Sequence, residues 1–264
     1  MGIRDRIPRE LRVELARLRR WPRLAIAGRR FATVHGGGDF GHVLATHASP
    51  LSRPGTTPDR RLQTGKETNV RVAASRLDGV MIDPGQVLSF HRLVGWPSTA
   101  RGFAIGLELH DGEMAEGVGG GACQVANLLY YLALCAGMTI VERHRHSLDL
   151  FPDSDRRVPF GCGATVFYNW ADLRFANPLD TPVALRLGIT DGQLVGELRA
   201  PADPGYRVEV YEVDHRFFEE GGASFRENRI RRRITRGEAL LVDHEVAHNL
   251  CRVAYRIDAL ERAS

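Results

Sequence analysis

The chain of 264 residues contains a single lysine, Lys66, although lysine and arginine together number 36. Arginine supplies every other basic side chain, and the formal net charge is only +4. The densest basic run, Arg229-Ile230-Arg231-Arg232-Arg233, lies in a segment with strand character, where successive side chains alternate between faces. No nucleic-acid-binding module is recognisable, so no nucleic acid partner is expected. Cysteine is equally sparse. Cys123, Cys135, Cys162 and Cys251 are widely spaced, with no CxxC pair and no Cys/His cluster. That spacing excludes a zinc finger and suits reduced thiols; no metal and no cofactor is expected. No apolar run is long enough to span a bilayer. The start, Met1-Gly2-Ile3-Arg4-Asp5-Arg6, lacks the basic, apolar, small-residue order of a secretory signal. A cytoplasmic location is the expectation.

What is present reads as three sections, 1–65, 66–200 and 201–264. Leu11, Leu15 and Leu18 fall on one face of a basic helix behind Pro8. Its stripe is narrow, so docking on its own domain is favoured over contact with an anionic membrane surface. Residues 36–65, rich in Gly, Pro, Thr and Ser, read as irregular. A helix is expected over Glu67–Leu77, then short strands at Val80–Ile82 and Val87–Phe90, and a hairpin of Phe103–Leu109 with Glu113–Ala115. Val125, Leu128, Leu129, Leu132 and Ala136 keep helical spacing up to Gly137. A strand over Met138–His144 follows. Beyond it the pattern is β throughout: Ala164–Trp170, Leu173–Phe175, Pro182–Thr190, Gln193–Arg199, Tyr206–Val213, Arg229–Ile234 and Leu240–Val246. The fold class is α+β, with a Gly-rich turn and central helix packed on a mixed or antiparallel sheet and a β-rich C-terminal half.

Chemistry concentrates at Cys123, which follows Gly119, Gly120 and Gly121 and opens the central helix. Glycines permit a sharp turn, and the first N–H groups of a helix favour negative charge. A thiol there is expected to ionise easily, with the Gly119–Gly121 amides holding an oxyanion. His144 and His146 lie on one face of the strand leaving the helix, and His146 is the first choice of base. Asp149, Asn169 and Asp172 are the candidates for an orienting group. Gln124, Arg143 and Arg145 are candidate anion or substrate ligands, the arginines through bidentate bonds. The plainer alternative is a small buried cysteine with two histidines serving local hydrogen bonds.

These residues carry a family resemblance. Asn69 to Gly79, Pro84-Gly85 with Leu88-Ser89-Phe90, Gly117 to Gln124, Glu142 to Ser147, Phe151 to Ser154 and Phe160 to Asn169 resemble the VanW family, in its short single-domain branch. The likeness is strong over residues 66–200 and weak to about 256. His91 stands where the pattern has an aromatic residue, and Cys162 where this branch has serine. The resemblance implies the location of the site rather than a reaction. The leading expectation is a cysteine-dependent acyl-transfer or hydrolytic enzyme on an amino-acid or peptidoglycan-like substrate. One alternative is a natural-product tailoring enzyme that closes a ring on a carrier-protein-bound amino acid with loss of sulfate or phosphate. Another is a non-enzymatic protein that binds cell-wall precursors or a partner chain.

Overall fold

The structure, a computed structural model, describes residues 30–36, 40–52, 59–110, 113–145, 148–149 and 158–255. The expected N-terminal basic helix, His146 and residues 150–157 lie outside the described residues. In chain order the elements are β1 (His42–Pro50), α1 (Arg60–Ser75), β2 (Met81–Ile82), β3 (Val87–Ser89), α2 (Phe90–Val94), β4 (Ile105–His110), β5 (Glu113–Val118) and α3 (Cys123–Cys135). Then come β6 (Thr139–Glu142), β7 (Leu148–Asp149), β8 (Arg174–Ala176), β9 (Val183–Thr190), β10 (Gln193–Ala200), β11 (Arg207–Glu220), β12 (Ala223–Arg236) and β13 (Ala239–Val253). The class is α+β and β-rich.

The strands form four sheets, in the orders β1-β10-β9-β2, β11-β12-β13-β7, β3-β8-β6 and β4-β5. Pairing is antiparallel except between β13 and β7. At the centre is α3, which packs against β1, β10, β6, β11 and α1. Val125, Ala126, Leu128, Leu129, Tyr130, Leu132, Ala133 and Leu134 are all buried, so α3 is apolar round most of its circumference, as a central helix must be. Close approach of β10 depends on Gly196, where a Cβ would meet Leu128, Leu132 and Leu187. The C-terminal sheet shares this core. Ile230 belongs to it, Arg232 donates to the Met138 carbonyl at 2.7 Å, and the Tyr206 hydroxyl donates to Ala136 O at 3.1 Å.

Three local expectations are corrected. Residues 36–65 are not irregular throughout, because they contain β1, whose partner β10 lies some 150 residues away and outside any local pattern. The first helix begins at Arg60, where the Asp59 side chain caps the Arg61 amide at 2.7 Å. Ala164–Trp170 is not a strand. Its amides and carbonyls bond instead to side chains and isolated backbone groups, and it ends in a tight turn that closes Phe167 on Ala171.

Candidate functional site

The turn before α3 is fixed by its neighbours. Gly119 and Gly121 adopt φ of 93° and 92°, conformations that other residues rarely take. Close contact explains the rest of the glycines. Pro97 lies against the bare α-carbon of Gly119, the Gly106 backbone against Gly120, the Lys66 stem against Gly121 and the Glu108 carboxylate against Gly117. From α1, Asn69 clamps the turn. It is 0% exposed, donates to Ala104 O and Gly120 O at 2.9 Å each, and accepts from the Ala104 amide at 2.8 Å. Gly65 lets α1 settle onto the Ile105 carbonyl. The turn is therefore a rigid platform on which residue 123 is presented.

Cys123 is the first residue of α3 and is half-buried. Its thiol donates to the Val166 carbonyl at 3.5 Å, a weak sulfur bond. One helical turn on, Asn127 accepts from the Ala164 amide at 2.8 Å, while Thr165 N–H donates to His144 O at 2.8 Å. Residues 164 and 166 thus face α3 and residue 165 faces the chain beyond β6. A three-residue segment lies between Cys123 and His144.

The thiol does not ionise easily as expected. Burial pushes it up, and the Glu108 carboxylate adds to the shift; backbone N–H groups at Val166 and at Cys123 itself oppose it without reversing it. The expected oxyanion site is also reduced. Gly119 N–H donates to Ala104 O at 3.0 Å and Gly120 N–H to Gly117 O at 3.1 Å, because both amides close the turn. Of the three amides, only that of Gly121 has no hydrogen bond among the described residues.

His144 is half-exposed, and its Nε2 lies 2.9 Å from Glu142 Oε1. Glu142 is a carboxylate partner of His144 that inspection of the sequence missed. The expected strand Met138–His144 put Glu142 and His144 on one face; the observed strand ends at Glu142, and His144 lies just beyond it. Behind it, Glu142 accepts from the Asp172 amide at 3.2 Å and lies 3.5 Å from Arg174. Asp172, 0% exposed, accepts from Ser89 Oγ at 2.6 Å, the His91 amide at 3.0 Å and Arg174 Nε at 2.6 Å. Asp172 therefore supports Glu142 and does not contact His144 through any hydrogen bond the structure gives. His91 packs edge-on to Tyr168, and Tyr168 edge-on to Trp96, so the departure at position 91 is absorbed into an aromatic cluster.

The other candidates are placed elsewhere. Asn169 has φ of 58° in the turn between Phe167 and Ala171, a position asparagine tolerates and one that explains its presence there. Asp149 is buried, bonded to Arg226 at 3.1 Å and to the Tyr255 hydroxyl at 2.9 Å. Arg143 is committed inward. It donates to Gly163 O at 2.9 Å, to Gly161 O at 2.5 Å and to Asn249 at 3.0 Å, and stacks over Tyr130. That is a structural role in place of an open anion site. Gln124 donates to Ser49 Oγ at 2.9 Å and Pro50 O at 2.8 Å, while its own Oε1 is buried with no hydrogen-bond partner among the described residues. Arg145 is exposed. Cys162 and Cys251 are buried and Cys135 half-buried, and no disulfide joins the four cysteines. No metal-ligating cluster occurs among the described residues.

A Gly-rich turn that presents a cysteine at the head of a buried helix, with the glutamate–histidine strand returning beside it, is the architecture to compare with known proteins. Residues 65–199 match the family described as VanW like protein, and the chain belongs to that family. Among its relatives is the Vancomycin B-type resistance protein VanW of Enterococcus faecalis (strain ATCC 700802 / V583), 27% identical over 199 residues, covering 75% of this chain and 72% of the relative. YoaR of Bacillus subtilis (strain 168) is 32% identical over 127 residues, covering 48% of this chain and 40% of that protein. No solved structure matches. No described helix is long and apolar enough to cross a membrane.

Proposed function

We propose that this chain is a cysteine-dependent acyl-transfer or hydrolytic enzyme acting on an amino-acid or peptidoglycan-like substrate. The observation that carries the reading is the pairing of His144 with Glu142, one three-residue segment away from a thiol held at the head of α3. In this scheme the thiol leaves the Val166 carbonyl, Cys123 Sγ attacks an acyl carbonyl, and His144, oriented by Glu142, takes the thiol proton through a water that bridges the segment 164–166 as the S–C bond forms. The Gly121 amide supports the oxyanion. As the tetrahedral intermediate collapses, His144 returns the proton to the leaving amine or alcohol, and an acyl thioester remains. Water or an acceptor amine then attacks that thioester, gives its proton to His144 and releases the Cys123 thiol. A thiol held neutral at rest suits this order, since the proton leaves during attack.

A second reading has its own support. The thiol's bond to Val166 and its upward shift fit a structural cysteine in a protein that binds cell-wall precursors without covalent chemistry. The two separate on Cys123→Ala. Lost turnover of a peptidoglycan-fragment amide or ester, with binding of that fragment retained, supports the enzyme. Binding of that fragment by the native chain with no turnover supports the second reading, and undiminished turnover in the variant removes Cys123 as the nucleophile.

A further inference from the structure

Two arginines of β12 are buried, and their surroundings differ. Arg226 pairs with Asp149 at 3.1 Å. Arg232, further along the strand and 8% exposed, pairs with no carboxylate among the described residues. Its one hydrogen bond there runs from Nη1 to Met138 O at 2.7 Å, just past the end of α3. Strand alternation explains the lack of an acid. Arg231 and Arg233 lie on the other face of β12 and share Asp243, at 3.0 Å and 3.2 Å. On the buried face the titratable groups that act on Arg232 are Tyr130, Tyr206 and Cys135. Burial pushes all three up, Tyr130 to about 12, so none is negative at neutral pH.

Directly across the strand pair from Arg232 is His244. Such partners hold their Cβ atoms about 5 Å apart on one face of a sheet. Each carries an orphaned atom. Arg232 Nε and His244 Nδ1 are buried, and neither bonds the other or any group among the described residues. A buried donor without an acceptor is costly, and a buried guanidinium without an anion more so. Burial first, then Arg232, holds His244 below the usual histidine range, with Asp243 opposing and Arg231 adding to the effect. A neutral ring can carry its one proton on Nδ1 and donate from there. Arg232 Nε and Nη2 form the edge by which a guanidinium takes a carboxylate side-on, and the bond to Met138 O uses the remaining nitrogen.

We propose that Arg232 and His244 form a binding site for a small carboxylate. One carboxylate oxygen accepts from both Arg232 Nε and His244 Nδ1, and the other meets Arg232 Nη2. The site lies at the tail of α3, about 18 Å along the helix from Cys123 at its head, and is separate from the thiol. A carboxylate there neutralises the guanidinium where β12 and β13 meet the end of α3, beside the bond from the Tyr206 hydroxyl to Ala136 O. It therefore fastens the C-terminal sheet to the central helix.

Formate is the probe, as the smallest carboxylate and one with a proton visible by NMR. Saturation transfer from protein to formate is followed by titration in the native chain, Arg232→Met and His244→Leu. The native chain is expected to give a saturable signal that Arg232→Met loses. His244→Leu is expected to weaken binding about fivefold, the size of one lost hydrogen bond. Acetate is expected to displace formate at lower concentration than chloride does, and the reverse order overturns the carboxylate assignment in favour of a halide. In urea at constant ionic strength, formate at ten times its apparent dissociation constant raises the native folded-to-unfolded ratio about elevenfold. Arg232→Met shows no such rise, and where that variant does not fold the comparison with His244→Leu decides. No signal from the native chain, or equal signals from the native chain and His244→Leu, overturns the site and leaves the two orphaned atoms to water.

Discussion

At the scale of single residues, Asn69 shows how much of the site depends on groups far from any reaction. It satisfies three backbone atoms at once: Ala104 O, Gly120 O and the Ala104 amide. Asn69→Ala strands those atoms in a buried place and is expected to cost about 3 kcal/mol, since each unsatisfied buried polar group costs about 1–3 kcal/mol. Gly120→Ala drives a methyl into the Gly106 backbone and is expected to cost a similar amount, about 3 kcal/mol, because neither strand end can yield. Urea denaturation of both variants checks this; losses below about 1 kcal/mol would show that the turn adjusts. Cys251 supplies a pH dependence. Burial, aided by Asp149, pushes its thiol up to about 11 from an ordinary 9.0. The unfolded thiol loses its proton first as pH rises, so the stability held by the neutral native thiol is intact below pH 9 and disappears by about pH 11. Cys251→Ala is expected to flatten the fall of stability across that window. A parallel fall in both proteins would contradict the assignment.

At the scale of elements, Cys123 and Asn127 share one face of α3 and hold the segment 164–166 by rungs one turn apart. Asn127→Ala removes the stronger rung. Hydrogen exchange at Thr165 and Val166 is then expected to quicken at least tenfold, while that of Leu129 to Leu134 stays slow. Uniform acceleration would mean that α3 itself had loosened. Legibility in the sequence followed the same division. The helix after the glycines was readable because its apolar residues keep a 3.6-residue period over three turns, and β9 and β10 because they alternate around Asp191-Gly192. β1 was hidden, since a strand in a Gly- and Pro-rich stretch is recruited by β10. The site was half legible. Cys123, the glycines and the histidines His144 and His146, with His146 preferred as base, stood out by type and spacing, whereas Glu142 was passed over two residues before His144. Asn69, Lys66 and Glu108 meet the turn only through packing of α1 and β4, which no local pattern records.

At the scale of the whole molecule, the β11–β12–β13 sheet is tied to the rest by a buried ion pair as well as by the shared core. Arg226, 1% exposed, bonds Asp149 and His215 and lies between the rings of Phe160 and Phe217. Asn228 and Asn249 extend this join to Phe160 O and to Arg143. The segment after His144 is therefore anchored on the C-terminal sheet, and the geometry of the site depends on both halves. Arg226→Met leaves Asp149 buried without its cation and is expected to cost about 3–5 kcal/mol, with the chain still unfolding in one transition. Two separated transitions, at circular dichroism and at Trp96 fluorescence, would show that the halves fold independently.

The central claim is that His144 serves Cys123. The most direct measurement is the rate of Cys123 alkylation by neutral iodoacetamide as a function of pH, resolved by peptide mass spectrometry, in the native chain, His144→Ala and Glu142→Gln. The account predicts that Cys123 reacts ahead of Cys135, Cys162 and Cys251 at neutral pH. It also predicts that each substitution slows Cys123 at least tenfold there, and that the rates converge above the raised thiol value, where no base is needed. Identical profiles in all three proteins would contradict it and leave Cys123 as a structural thiol.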